Sequence, residues 1–120
     1  MNNLKFWLPV YLYAVFIFVL SAIPELPQIG PDVPNSDKFF HMLEYGIFGL
    51  LLARAFKNSS SQFLMGNFLI LTCLVSCLYG ITDEFHQSFV PGRESNVWDV
   101  LFDTIGAFFG CVVWTKKKRL

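Results

Sequence analysis

Polarity changes along this chain in long blocks rather than residue by residue. Four apolar stretches stand out, each near the ~20 residues that a helix needs to cross a bilayer. The first covers about Phe6 to Ile23. The second, about Lys38 to Phe56, is amphipathic at its start and wholly apolar only from Ile47 to Ala53. The third runs from about Phe63 to Thr82, and the fourth from about Val97 to Thr115. Runs of this length predict four helices, with Pro9 tolerated in the first turn of the first. The connections are of three kinds. Pro24 to Ser36 carries four prolines and one glycine and reads as an irregular loop. Asn58 to Ser61 is a short polar turn, and Phe89 to Asn96 holds a Pro91-Gly92 turn. Ser95 or Asn96 then supplies the N-cap of the last helix.

Composition favours lipid as the surrounding medium. Hydrophobic residues make up 54% and charged residues 15% of the chain, and mean hydropathy is +0.50. A soluble domain carries nearer a quarter of charged residues. Fourteen phenylalanines are more than one small aqueous core can bury, whereas a bilayer accepts them. Residues 1–120 are therefore expected to form one all-α membrane domain, a four-transmembrane-helix bundle. The first segment is expected to be a retained helix, because Leu20-Ser21-Ala22 lacks a small-x-small cleavage pattern. Cys73, Cys77 and Cys111 are odd in number and lie inside apolar runs. They read as small buried apolar residues, with neither a disulfide framework nor a zinc-ribbon spacing.

Charge then sets the expected orientation. With the N-terminus inside, the inner side holds Lys5, Arg54, Lys57, Lys116, Lys117, Lys118 and Arg119. The outer side holds only Lys38 and Arg93. Seven against two predicts N-in and C-in. All nine acids then fall on the outer side or in the outer half of a helix: Glu25, Asp32, Asp37, Glu44, Asp83, Glu84, Glu94, Asp99 and Asp103.

The candidate chemistry lies at that outer end. At 100° per residue Asp37, His41 and Glu44 share one face of the second helix, with Lys38 and Tyr45 beside them. Glu44 is about 9 Å deeper than Lys38 at ~1.5 Å per residue. In the fourth helix Asp99 and Asp103 form an i,i+4 pair, and Gly106, Ala107 and Gly110 continue their face as a small-residue stripe. The third segment ends in Tyr79, Gly80, Asp83, Glu84, His86 and Gln87. Ionisable groups at membrane depth are costly, so they pair with each other or line a site.

The bland reading is a salt-bridge network of Lys38, Arg93, Asp83, Asp99 and Asp103 that only fixes the bundle. Three functional readings stand beside it. His41, Glu44, Asp83 and His86 are ligand types suited to a divalent metal, although their spacing matches no established zinc motif. Arg93 and Lys38 are suited to gripping an anionic head group, helped by backbone amides after Pro91-Gly92. Glu44, Asp103 and His41 could relay protons, which in a four-helix chain requires an oligomer. Ser88 and Ser95 have no nucleophile motif around them. No phosphate-binding glycine loop and no basic aromatic surface for nucleic acid is present. No organic cofactor is expected.

At these residues the chain resembles the VanZ-like family of bacterial membrane proteins. The resemblance is carried by Ser21-Ala22-Ile23-Pro24, by Asp37-Lys38 with His41, Glu44, Tyr45 and Gly49, and by Tyr79-Gly80. It continues through Asp83-Glu84-x-His86-Gln87, Phe89-Val90-Pro91-Gly92-Arg93, Asp99, Asp103, Gly106-Ala107 and Gly110. It implies a multi-pass protein of the bacterial plasma membrane and an association with low-level resistance to the glycopeptide teicoplanin. The expectation from residues and resemblance together is a cell-envelope accessory protein. Its outer-leaflet polar pocket would engage an anionic lipid-linked or wall-precursor group. The alternatives are a membrane enzyme, metal-assisted or not, acting on such a substrate, and a structural subunit.

Overall fold

The computed structural model describes residues 4–22, 36–90 and 97–119. They form α1 (Leu4–Ala22), α2 (Ser36–Lys57), α3 (Gln62–Gly66), α4 (Phe68–Gln87) and α5 (Val97–Arg119). The protein is all-α, and the four long helices are each long and apolar enough to cross a bilayer.

Three local features depart from the sequence reading. The third apolar stretch is divided at Asn67 into one short turn of helix and one long helix. Ser61 caps the short turn, its side chain accepting from the Leu64 amide at 3.4 Å. Asn67 closes that turn, with its backbone N–H and side-chain amide both donating to the Phe63 carbonyl at 3.1 and 2.9 Å. The long helix then continues past Thr82 to Gln87, since Asp83 to Gln87 holds no proline or glycine to stop it. In α1 the helix starts at Leu4, so Pro9 lies in the second turn, where it removes one backbone donor.

The helices run up, down, up and down. At one end the Arg54 guanidinium lies 4.9 Å from the centre of the Phe6 ring, which brings the start of α1 beside the end of α2. Lys57 covers the Phe68 ring at 4.8 Å, and Phe68 lies 6.4 Å from Trp114. Bases therefore mark this end. At the other end the last turns of α1 and α4 meet the first turns of α2 and α5.

The tightest seam is between α2 and α5. A Cβ placed on Gly106 would overlap the Met42 carbonyl, and one on Gly110 would overlap the carbonyl of Gly46. Gly49 meets the Ala107 backbone in the same way. Small residues let two backbones touch where lipid offers no hydrophobic drive for association. α1 is tied on by a different device. The Tyr13 hydroxyl donates to the Glu44 carbonyl at 2.8 Å, and the Tyr79 hydroxyl donates to the Ala14 carbonyl. Ile17, Tyr45, Phe48 and Leu52 fill the core between these helices.

The distribution of polarity is inverted relative to a protein in water. Asp83, Glu84, Gln87, Asp99 and Asp103 are buried, while Leu12, Phe16, Ile70, Leu74, Phe109 and Val113 face outward. A large exposed apolar surface around a polar interior is what a bilayer selects. This is a multi-pass membrane protein.

Candidate functional site

Three helices deliver ionisable side chains to the end of the bundle opposite the Arg54–Phe6 contact. In α2, His41 and Tyr45 are one turn apart and face inward. In α5, Asp99 and Asp103 are likewise one turn apart, directly ahead of the glycine seam, so the packing that joins α5 to α2 also points them at α2. In α4, Thr72, Ser76, Gly80 and Glu84 follow at four-residue spacing, with Asp83 and Gln87 alongside, and all six are buried. This stripe gives α4 its polar inner face.

The side chains fall into two sets. The first ties α1 to α2 and α4. Ser21 donates to Asp83 Oδ1, the Tyr45 hydroxyl reaches Asp83 Oδ2 at 3.4 Å, and Gln87 Nε2 donates to the Ser21 hydroxyl at 3.4 Å. Both Asp83 oxygens are thereby engaged, which makes this carboxylate a knot between three helices.

The second set is centred on His41. Its Nδ1 is 2.8 Å from Asp103 Oδ1, and its Nε2 is 3.9 Å from Asp99 Oδ2. The histidine side chain is 13% exposed, and Asp103 is fully buried. Gly80 makes room for this carboxylate, since a Cβ there would be 3.1 Å from Asp103 Oδ2. That oxygen has no hydrogen-bond partner among the described residues. Donor atoms of His41, Glu84 and Asp99 lie within 4.8 Å of one another, and so do donor atoms of Asp83, Glu84 and Asp103. Glu84 is common to both groups.

The structure thus brings together His41, Tyr45, Asp83, Glu84, Gln87, Asp99 and Asp103. His86 is elsewhere: its ring stacks on Phe18 of α1 at 4.5 Å and 17°. Glu44 is half-buried and contributes its backbone carbonyl to the contact with Tyr13. Tyr79 also turns to α1. Of the metal set read from the sequence, His41 and Asp83 therefore fall in the grouped donors, whereas Glu44 and His86 do not. Arg93 and the Pro91-Gly92 turn lie outside the described residues, as do the side chains of Asp37 and Lys38. Gly80 was read as part of the polar end of the third segment, and Ser21 only as part of the family resemblance; Tyr13 carried no signal in the sequence.

A family model described as VanZ/LLP1 matches residues 3–118. No curated protein and no solved structure matches the chain.

Proposed function

This chain belongs to the VanZ/LLP1 family, and from that premise we propose that it is a cell-envelope accessory protein that engages an anionic, lipid-linked or wall-precursor group at the outer leaflet. In this reading it sits in the bacterial plasma membrane with both termini in the cytoplasm. The observation that carries the reading is the second set of side chains. The Asp83 knot fastens three helices, and His41, Glu84, Asp99 and Asp103 are gathered beside it, more ionisable groups than one fastening needs; inside a membrane bundle such groups pair with one another or line a site. Lys38 and Arg93 are close in sequence to this set and supply the positive charge for an anion.

The test is retention of an anionic lipid by the purified protein. Native mass spectrometry with dioleoyl phosphatidic acid as probe and dioleoyl phosphatidylcholine as control should show selective retention of the acid. Arg93→Ala should remove that selectivity while the protein accumulates in the membrane at the wild-type level. Equal retention of the two lipids, or an unchanged preference in Arg93→Ala, would refute the reading. In cells, the same variant should lose any tolerance of teicoplanin that the wild type confers.

A second reading has one specific feature behind it. A histidine held at Nδ1 by a carboxylate has its other nitrogen set for proton transfer. A membrane hydrolase or transferase acting on the same class of lipid-linked group would use His41 in that way. It predicts turnover of the probe lipid rather than mere retention.

A further inference from the structure

The seam between α2 and α5 has one side turned to the bilayer, and that side is not flat. Gly46, Gly106 and Gly110 give it a floor without side chains, where the two backbones touch. Leu43, Ile47, Phe109 and Val113 stand up around this floor, each more than half exposed. The result is a groove of about 390 Å³ with no charged or polar side chain in its lining. Along α2 it begins at Phe39 and ends at Leu50, about 16 Å deeper at 1.5 Å per residue. That is about half of a ~30 Å hydrocarbon core.

The geometry points to one occupant: we propose that the groove holds a single hydrocarbon chain of a lipid whose head group rests at the His41 end of the bundle. That this head is the anionic group rests on the reading above; the groove and its chain do not.

Size excludes a helix from the groove. An α-helix is about 10 Å across with its side chains, so a stretch as long as the groove fills about 1,300 Å³. That is roughly three times the space between the two helices. A helix would ride on the rim formed by Ile47 and Val113 and leave the glycines uncovered. A hydrocarbon chain is thin enough to lie between the rims.

Shape then favours the groove over loose contact with the surface. A chain lying along one convex helix is touched from one side. In the groove it is touched by the glycine floor and by both rims, and such contacts are individually small and collectively large. Inside a bilayer this difference decides, because lipid tails are as apolar as Leu and exchanging one for the other brings no hydrophobic drive.

Position sets where the head goes. At 100° per residue Phe39, Leu43 and Leu50 point about 160–200° away from His41 on α2. The groove and the polar set therefore lie on opposite sides of one seam. They come together at the first turns of α2, where Phe39 is two residues from His41. A lipid held by its tail reaches the polar end sideways through the membrane rather than from water.

The experiment uses the full chain in nanodiscs of dioleoyl phosphatidylcholine doped with phosphatidic acid that carries a diazirine partway along one chain. After ultraviolet activation, peptide mass spectrometry locates the labelled residues. The expected result is labelling several-fold denser on residues 39–50 and 106–113 than around Leu12 of α1 and Ile70 of α4, which are at least as exposed. Ile47→Trp combined with Val113→Trp places two indoles at the opening and should cut the groove labelling several-fold, while Ile70→Trp leaves it unchanged. Both groove positions already face outward, so thermal unfolding of the double variant should follow the wild type. Should it not fold, the wild-type map still decides. Even labelling of all outward faces would overturn the groove, as would wild-type labelling in the folded double variant. A stable dimer in native mass spectrometry with the groove left unlabelled would also overturn it, with a second copy as the occupant. The same diazirine on phosphatidylcholine separates this proposal from the anion reading. Equal groove labelling by both lipids leaves the groove standing and removes the preference for an anionic head. A preference for phosphatidic acid with labelling spread over every face does the reverse.

Discussion

His41 and Asp103 form the contact on which the polar end depends, because each is the other's nearest compensation and Asp103 is fully buried. Removing one partner leaves the other stranded, and for a buried pair that costs about 3–5 kcal/mol. His41→Ala should therefore lower stability by that order in detergent, whereas His41→Asn should remain within about 1 kcal/mol, the worth of one ordinary hydrogen bond. Chemical unfolding followed by tryptophan fluorescence separates the two, and equal losses would mean that Asp103 does not need a donor at Nδ1. Tyr45→Phe tests the neighbouring knot. It deletes the hydroxyl that reaches Asp83 at 3.4 Å and should cost about 0.5–1.5 kcal/mol, the worth of one hydrogen bond. At this scale the chemistry was legible in residue type and its grouping only in part. Acids and histidines at one end announced a cluster, but nothing in the sequence told which of them would turn away. His86 lies two residues past Glu84, about 200° further round α4, so a helix aimed with Glu84 inward sends His86 towards α1 and the Phe18 ring. That choice depends on how α4 is rotated against its neighbours, and a linear reading does not fix rotation.

Among the elements, α2 and α5 are held by backbone contact, so their glycines should be intolerant in a position-dependent way. Gly106→Ala would drive a methyl into the Met42 carbonyl, and neither side of that contact is a flexible side chain. Overpacking of this sort costs about 1–3 kcal/mol, and it should also separate the first turns of the two helices and loosen His41 from Asp103. Gly66→Ala is the matched control, since a Cβ there meets nothing within 4 Å, and alanine favours helix by roughly 1 kcal/mol over glycine. Melting temperature in detergent should fall for the first and hold or rise for the second; a fall of the same size in both would mean that glycine is tolerated for some reason other than close approach. The long helices were readable because a span must be apolar for its whole length. The break at Asn67 was not, because it arises from side-chain amide and backbone bonds to a single carbonyl, Phe63, inside a stretch whose hydropathy barely changes. The extension of α4 to Gln87 was hidden for the converse reason. Hydropathy falls after Thr82, but the helix does not need apolar residues once its polar face is covered by α2 and α5.

For the molecule as a whole, the separation of charge is the property with the furthest reach. Lys5, Arg54 and Lys57 gather where α1 begins and α2 ends, with Lys116 and Lys117 in the last turns of α5, and the buried acids stand at the far end. Basic residues near short loops tend to remain on the cytoplasmic side, so in the orientation proposed above, which the seven-to-two division of Lys and Arg predicts, the His41 end faces out. The connection between α2 and α3 and the end of α4 offer reporters on opposite sides, because Ser60 and Ser88 are both exposed. In a chain whose three cysteines are replaced by alanine, Ser88→Cys should react with a membrane-impermeant maleimide in intact cells. Ser60→Cys should react only after the membrane is opened. The reverse pattern would put the carboxylates and His41 in the cytoplasm, where a phosphate-bearing group of the outer leaflet could not reach them. It would remove the proposed ligand while leaving the fold and the glycine seam unchanged. Orientation therefore decides which ligands are physically available to the site, and it can be measured before any ligand is in hand.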